Sequence, residues 1–138
     1  AGSDLPDLVD ALLTKDALQS LAMANKAGLV FAGAFKVETE IAQRAPAALI
    51  EAREAGADGV RKIAAALLRR WGDEAAATPR VELFDSSQLD LALGRTNVIH
   101  AALLAGPASR TFLSRSQMLV RYRLADDDKT AEKHGQDF

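Results

Sequence analysis

The apolar positions along this chain switch repeatedly between the three-to-four spacing of a helix and short unbroken runs that suit buried strands. The switch is clearest at 89–103, LDLALGRTNVIHAAL. Leu89, Ala92 and Leu93 fall on one face of a short helix, Gly94 is the residue that ends it, and from Val98 to Leu103 runs an apolar stretch rich enough in branched residues to be a buried strand. Arg95, Thr96 and Asn97 occupy the changeover. A helix that stops there displays those side chains, and free backbone N–H groups, at one edge of the domain.

The same reading extends to the rest of the chain. Asp4 is placed to cap a first helix with Pro6 at its second position and Leu5, Leu8, Val9 and Leu12 on one stripe. A second helix is expected over 16–27, with Leu18, Leu21, Ala22 and Asn25 sharing a face and Gly28 closing it. The run 29–32 reads as a buried strand that turns at Gly33 into a helix over 34–44, Val37 and Ile41 inward. Pro46 breaks that helix and 47–52 is the next strand. Asp58 is expected to cap the strongest helix, 59–71, whose stripe is Val60, Ile63, Ala64, Leu67 and Trp71. A loop over 72–78 leads to a strand at 80–84, after which Asp85, Ser86 or Ser87 caps the short helix. Gly106-Pro107 opens a last helix to about residue 123, with Ala108, Phe112, Leu113, Leu119 and Val120 inward and Arg110 and Arg121 outward. Strand and helix therefore alternate, which implies an α/β fold with a four-stranded mixed sheet between helical layers.

Composition changes this picture little. Apolar residues make up 49% of the 138, enough for one packed domain, while aromatics at 5% point to helices packed through small side chains. The absence of Cys excludes disulfides and thiolate chemistry within the chain. No run suits a membrane span or a secretory signal, so a cytoplasmic protein is expected. The chain starts on Ala1 rather than Met, as a processed chain or a piece of a longer one does.

Charge is unevenly placed. The last fifteen residues, 124–138, hold five acids (Asp126, Asp127, Asp128, Glu132, Asp137) against Lys129 and Lys133. The overall −2 thus becomes about +1 for the remainder. Residues 91–125 contain no acid at all, yet carry Arg95, Arg110, Arg115, Arg121 and Arg123. Three stretches follow: an N-terminal helix or extension over 1–14, a body over 15–123, and an acidic tail over 124–138 expected to be disordered.

Catalytic groups are poorly supported. His100 sits in an apolar strand and reads as a core or edge residue, His134 lies in the tail, and no GxGxxG, P-loop or HExxH pattern occurs. No enzyme activity, metal or cofactor is expected. The better constellation is cationic: Lys26 ends one helix, Gly33-Ala34-Phe35-Lys36 opens the next, and Arg95-Thr96-Asn97 follows the short one. A helix start after a strand offers N–H groups and a positive dipole end to phosphate, and an exposed Phe35 would stack on a splayed base. Each residue alone has an ordinary structural use, Phe35 as core and Asn97 as a turn residue.

KAGLVFAGAFKVETEI, GVRKIAAALLRR and VELFDSSQLDLALGRTNVIHAAL together resemble the carboxyl-terminal half of the alphaproteobacterial YlxR-type nucleic-acid-binding proteins. That half is similar to the kink-turn-binding ribosomal-protein superfamily. The resemblance covers about 15–123, and its specific parts are LGRTNVIHAAL and the KAG…G…V spacing. It implies a three-layer α/β/α sandwich and RNA binding through the start of the helix after the first strand, where Gly33, Ala34, Phe35 and Lys36 stand, and the loop after the short fourth helix, Arg95, Thr96 and Asn97; the charge pattern adds phosphate neutralisation by Lys26 and the Arg110/Arg121 face. It also implies a bacterial protein associated with the ribosome or with transcription termination, binding structured RNA. Kink-turn binders carry Asn-Glu after the helix-opening Gly and a Lys one turn later. Here Phe35, Lys36 and Thr39 stand at those positions, so kink-turn recognition is not implied. Longer members carry a basic, cysteine-containing YlxR domain that this chain lacks. The alternative is therefore a protein–protein interaction module, docking through Phe35, accessory to that domain.

Overall fold

The computed structural model describes residues 4–135, and side chains are described for 5 and 7–129. Its elements are α1 (Asp4–Lys26), β1 (Val30–Ala32), α2 (Ala34–Gln43), β2 (Ala48–Glu51), α3 (Ala57–Trp71), β3 (Arg80–Val81), α4 (Ser86–Leu93), β4 (His100–Leu103) and α5 (Pro107–Gly135). The alternation read from the apolar pattern is present throughout. A 3₁₀ turn, Gly72–Ala77, fills most of the stretch expected to be a loop.

The strands form one mixed sheet in the order β1-β4-β2-β3, with β4 antiparallel to both neighbours and β2 parallel to β3. Alternation along β2 and β4 divides the interior in two. Ala48, Ile50, Ala101 and Leu103 face Ala17, Leu21, Phe84, Leu89, Phe112 and Leu119 of α1, α4, α5 and the segment before α4. Leu49 and Ala102 face Val37, Ile41, Ile63 and Leu67 of α2 and α3. The three-layer α/β/α sandwich is thus built on two apolar clusters, one on each side of the sheet. The small side chains of β4 let helices approach closely from both sides. Trp71 ties α3 to α2 by donating its indole N–H to the Ile41 carbonyl at 2.7 Å.

Several boundaries differ from expectation. The two helices expected before residue 28 are one, so the boundary drawn between 14 and 15 falls inside α1. No Gly or Pro interrupts 7–26, and α5 packs along α1 on one side, which keeps the helix continuous. Its N-terminal stripe faces outward, with Leu5, Leu8 and Leu12 exposed. The cap expected of Asp4 lies outside the described side chains. Helix α3 starts two residues early at Ala57 with Gly56 as its cap residue, and Asp58 lies in the first turn paired to Arg61. Strand β3 stops at Val81 rather than 84 because Phe84 turns into the core, its ring 6.2 Å from that of Phe112. Val120, expected inward, is exposed on α5.

The tail expected to be disordered from 124 is instead the continuation of α5 as far as Gly135. Extending a helix that is already packed needs no new nucleus, and Ala, Lys and Glu are good helix formers. His134 lies outside the described side chains and Asp137 outside the described residues. Among the described residues, no helix is long and apolar enough to cross a membrane.

Helices α1 and α5 are also joined by ion pairs. Arg123 donates from Nε to Asp10 Oδ2 at 2.8 Å and from Nη2 to Oδ1 at 3.1 Å, and Arg115 donates to Asp16 Oδ1 at 3.0 Å. The Arg123 hydrogen bonds hold the Asp10 carboxyl below its ordinary value of 3.8; partial burial opposes them, and the Arg123 charge and the Thr14 hydroxyl reinforce them. A depressed folded value means that the contribution is complete above the unfolded value and is lost as pH falls through the folded one. Asp10→Asn is therefore expected to melt below wild type at neutral pH, and the gap to close below about pH 3.8. Melting curves across the acid range test this, and a gap constant down to the acid limit would contradict it.

Candidate nucleic-acid interface

Strand β1 delivers the chain to Gly33 with φ 102° and ψ 142°, a backbone shape that a side chain disfavours and that turns the chain sharply into α2. Gly33 donates its N–H to the His100 carbonyl at 2.9 Å and accepts the Val37 N–H at 2.9 Å. No side chain caps α2 and its first turn has no acid. The N–H groups of Ala34, Phe35 and Lys36 therefore lack helical partners and lie at the positive end of the helix dipole. Phe35 is 81% exposed, which rules out a core role, and Lys36 is exposed beside it.

The second part of the site is the turn between α4 and β4. Asp85 and Gln88 form a reciprocal capping box at the start of α4, and Glu54 accepts the Ser86 N–H at 2.8 Å. Gly94 ends the helix in the left-handed region, φ 63° and ψ 38°, where a Cβ would be strained. Asn97 has φ 59°, which Asn tolerates better than most residues, so its turn-forming use is realised. Arg95, Thr96 and Asn97 are all exposed. Because Gly33 is bonded to His100, three residues past Asn97, the start of α2 and the approach to β4 meet at one end of the sheet.

The other expected residues are more dispersed. Lys26 lies at the opposite end of β1 from Gly33, about 10 Å of strand away. It is nevertheless next to Asn25, whose side-chain amide donates to the Leu93 carbonyl at 3.3 Å and so ties the end of α1 to the end of α4. Arg110 lines a groove with Pro79, Leu83 and Leu113 beside β3, on the far side of the sheet from β1. Arg121 is on the same stripe of α5, eleven residues or about 16 Å further along. These two do not join the edge formed by 33–36 and 95–97. Of the five arginines in the acid-free stretch, Arg115 and Arg123 are engaged with α1, which leaves Arg95, Arg110 and Arg121 without an ion pair among the described residues.

His100 is buried and its Nδ1 has no hydrogen-bond partner among the described residues. The first turn of α3 lies against its imidazole so closely that a Cβ on Gly59 would come within 2.9 Å of Nε2. Two residues of the site were not singled out for it from sequence. In the sequence Asn25 shares a helix face with Leu18, Leu21 and Ala22, which gives no sign of this use. Asp90 carried one signal, an acid in the second half of a short helix, where the dipole disfavours it unless it has a local use. Among the described residues, no group of three or more His, Cys, Asp or Glu could hold a metal ion.

No family model matches the chain, and no curated protein matches it by sequence. Solved structures do. A protein of unknown function from Bacillus halodurans superposes with a TM-score of 0.60 at 19% identity, over 73% of this chain and 96% of that one. The Giardia lamblia 15.5 kD RNA binding protein superposes with a TM-score of 0.56 at 14% identity, over 80% of this chain and 89% of that one. At these identities the likeness is one of fold, a ribosomal-protein-like α/β architecture.

Proposed function

We propose that the chain is a non-enzymatic RNA-binding domain that grips structured RNA at the edge formed by 33–36 and 95–97. The observation that carries this reading is the uncapped start of α2, with exposed Phe35 and Lys36, tied through the Gly33–His100 bond to the strand that follows Arg95, Thr96 and Asn97. A phosphate on the N–H groups of Ala34, Phe35 and Lys36 would be neutralised by Lys36 and Arg95, and an unpaired base would stack on Phe35. Lys26, beside the α4 terminus, would contact flanking backbone. The fold shared with an RNA-binding protein supports the reading. So does the resemblance of LGRTNVIHAAL to YlxR-type proteins, which favours a role in bacterial transcription termination or at the ribosome.

Phosphate contacts of this kind predict salt-dependent binding. Titration of the chain with structured bacterial RNA, ribosomal RNA included, at several salt concentrations is expected to give a steep slope. Lys36→Ala/Arg95→Ala is expected to flatten that slope by about two units. Absence of binding by wild type at low salt would overturn the reading and direct the search to a protein partner docking on Phe35.

A further inference from the structure

Resting on that reading, we infer that Asp90 is the positioning residue of the RNA-contacting loop, holding Arg95, Thr96 and Asn97 in the binding shape before RNA arrives. Its carbonyl accepts the N–H groups of Gly94 and, at 3.1 Å, Arg95. Its carboxylate accepts the Asn97 N–H on Oδ2 at 2.9 Å and the Val98 N–H on Oδ1 at 2.8 Å. One residue thus takes four of the five backbone N–H groups between 94 and 98. The fifth, on Thr96, has no partner among the described residues and stands between the exposed side chains of Arg95 and Asn97.

The arrangement solves two problems at once. Asn97 must hold a left-handed backbone conformation, and an acceptor fixed on its N–H stabilises that choice. A loop of exposed polar residues would otherwise lose its freedom on binding, at a cost to affinity. The carboxylate reduces that cost in advance and leaves the Thr96 N–H and the exposed side chains of Arg95, Thr96 and Asn97 for the ligand. Asn25, on the Leu93 carbonyl, braces the helix end from the other side.

The test compares Asp90→Ala, Asp90→Asn, Arg95→Ala and Asp90→Ala/Arg95→Ala in RNA titrations over a range of salt. Asp90→Ala is expected to weaken binding about five- to tenfold. Asp90→Asn, which keeps one carbonyl acceptor, falls between it and wild type. In the Arg95→Ala background, Asp90→Ala should cost less than it does in wild type, because the Arg95 share of its effect is already lost. Amide exchange at Asn97 and Val98 should accelerate in both Asp90 variants, and Asp90→Asn carries the comparison if Asp90→Ala does not fold. Wild-type affinity in the Asp90 variants, with loss in Arg95→Ala, would overturn the positioning role while leaving the RNA site standing. No binding by wild type would overturn the RNA site itself.

Discussion

Phe112→Ala is expected to lower the unfolding free energy by about 3–5 kcal/mol. Phe112 has no solvent exposure, and its ring meets Phe84 where α5 closes over the sheet and α1. Removing it forfeits the burial of a whole ring and leaves a void bordered by Phe84 and the residues of α1. The void has few means of collapse, since the ring is packed on several sides by the buried residues of α1, α5, the sheet and the segment before α4. For a domain of this size the loss corresponds to a fall in Tm of about 10–20 °C. Phe35→Ala is the matched control, the same residue type at 81% exposure, and should move stability by no more than about 0.5 kcal/mol. Urea denaturation of both variants measures the contrast. A Phe112→Ala loss under about 1 kcal/mol would show that α5 is not held through this ring.

The second large effect is expected at the end of β2. Glu51 is 3% exposed and lies in register with His100 on β4, on the side of the sheet covered by α2 and α3. Arg80 of β3 donates from Nη2 to both carboxylate oxygens, at 3.1 and 3.2 Å. Breaking a fully buried pair by removing one partner costs about 3–5 kcal/mol, because a charge is left inside without compensation. The Arg80 side chain is 39% exposed, so water partly replaces it and Arg80→Met should cost about 2 kcal/mol. Adding Glu51→Leu removes the stranded carboxylate and should recover much of that loss. A double variant less stable than Arg80→Met alone would mean that Glu51 contributes by packing and not by its pairing. Because β3 is only two residues long, the pair also secures the edge of the sheet.

Only part of the candidate site is visible from residue types. Gly33 and Gly94 announce sharp turns, and Arg95-Thr96-Asn97 interrupts an apolar pattern, so the start of α2 and the loop before β4 are legible locally. Arg110 and Arg121 mislead for the same local reason. An acid-free run reads as one cationic face, but sheet order puts β1 and β3 at opposite edges and α1 supplies acids to Arg115 and Arg123. Those partners are about a hundred residues away in the chain, beyond the reach of any spacing rule. The role of Asp90 is not legible locally, because its carboxylate oxygens accept from backbone N–H groups seven and eight residues later, across a turn whose path is not encoded by any single residue. The acidic tail misleads in the opposite direction, since its composition suits solvent but its attachment to a packed helix carries helical structure on to Gly135.

By itself the sequence determined the alternation of helices and strands, the inward stripes of Val37, Ile41, Ile63 and Leu67, and the turns at Gly33 and Gly94. These depend on side-chain period and on φ, which are properties of neighbouring residues. Only the tertiary structure decided the strand order, the fusion of the first two helices, the burial of Glu51 against Arg80, and which arginines of the acid-free stretch pair with α1. Those outcomes depend on which distant surfaces meet, and a desolvated charge takes whatever partner the packing brings to it.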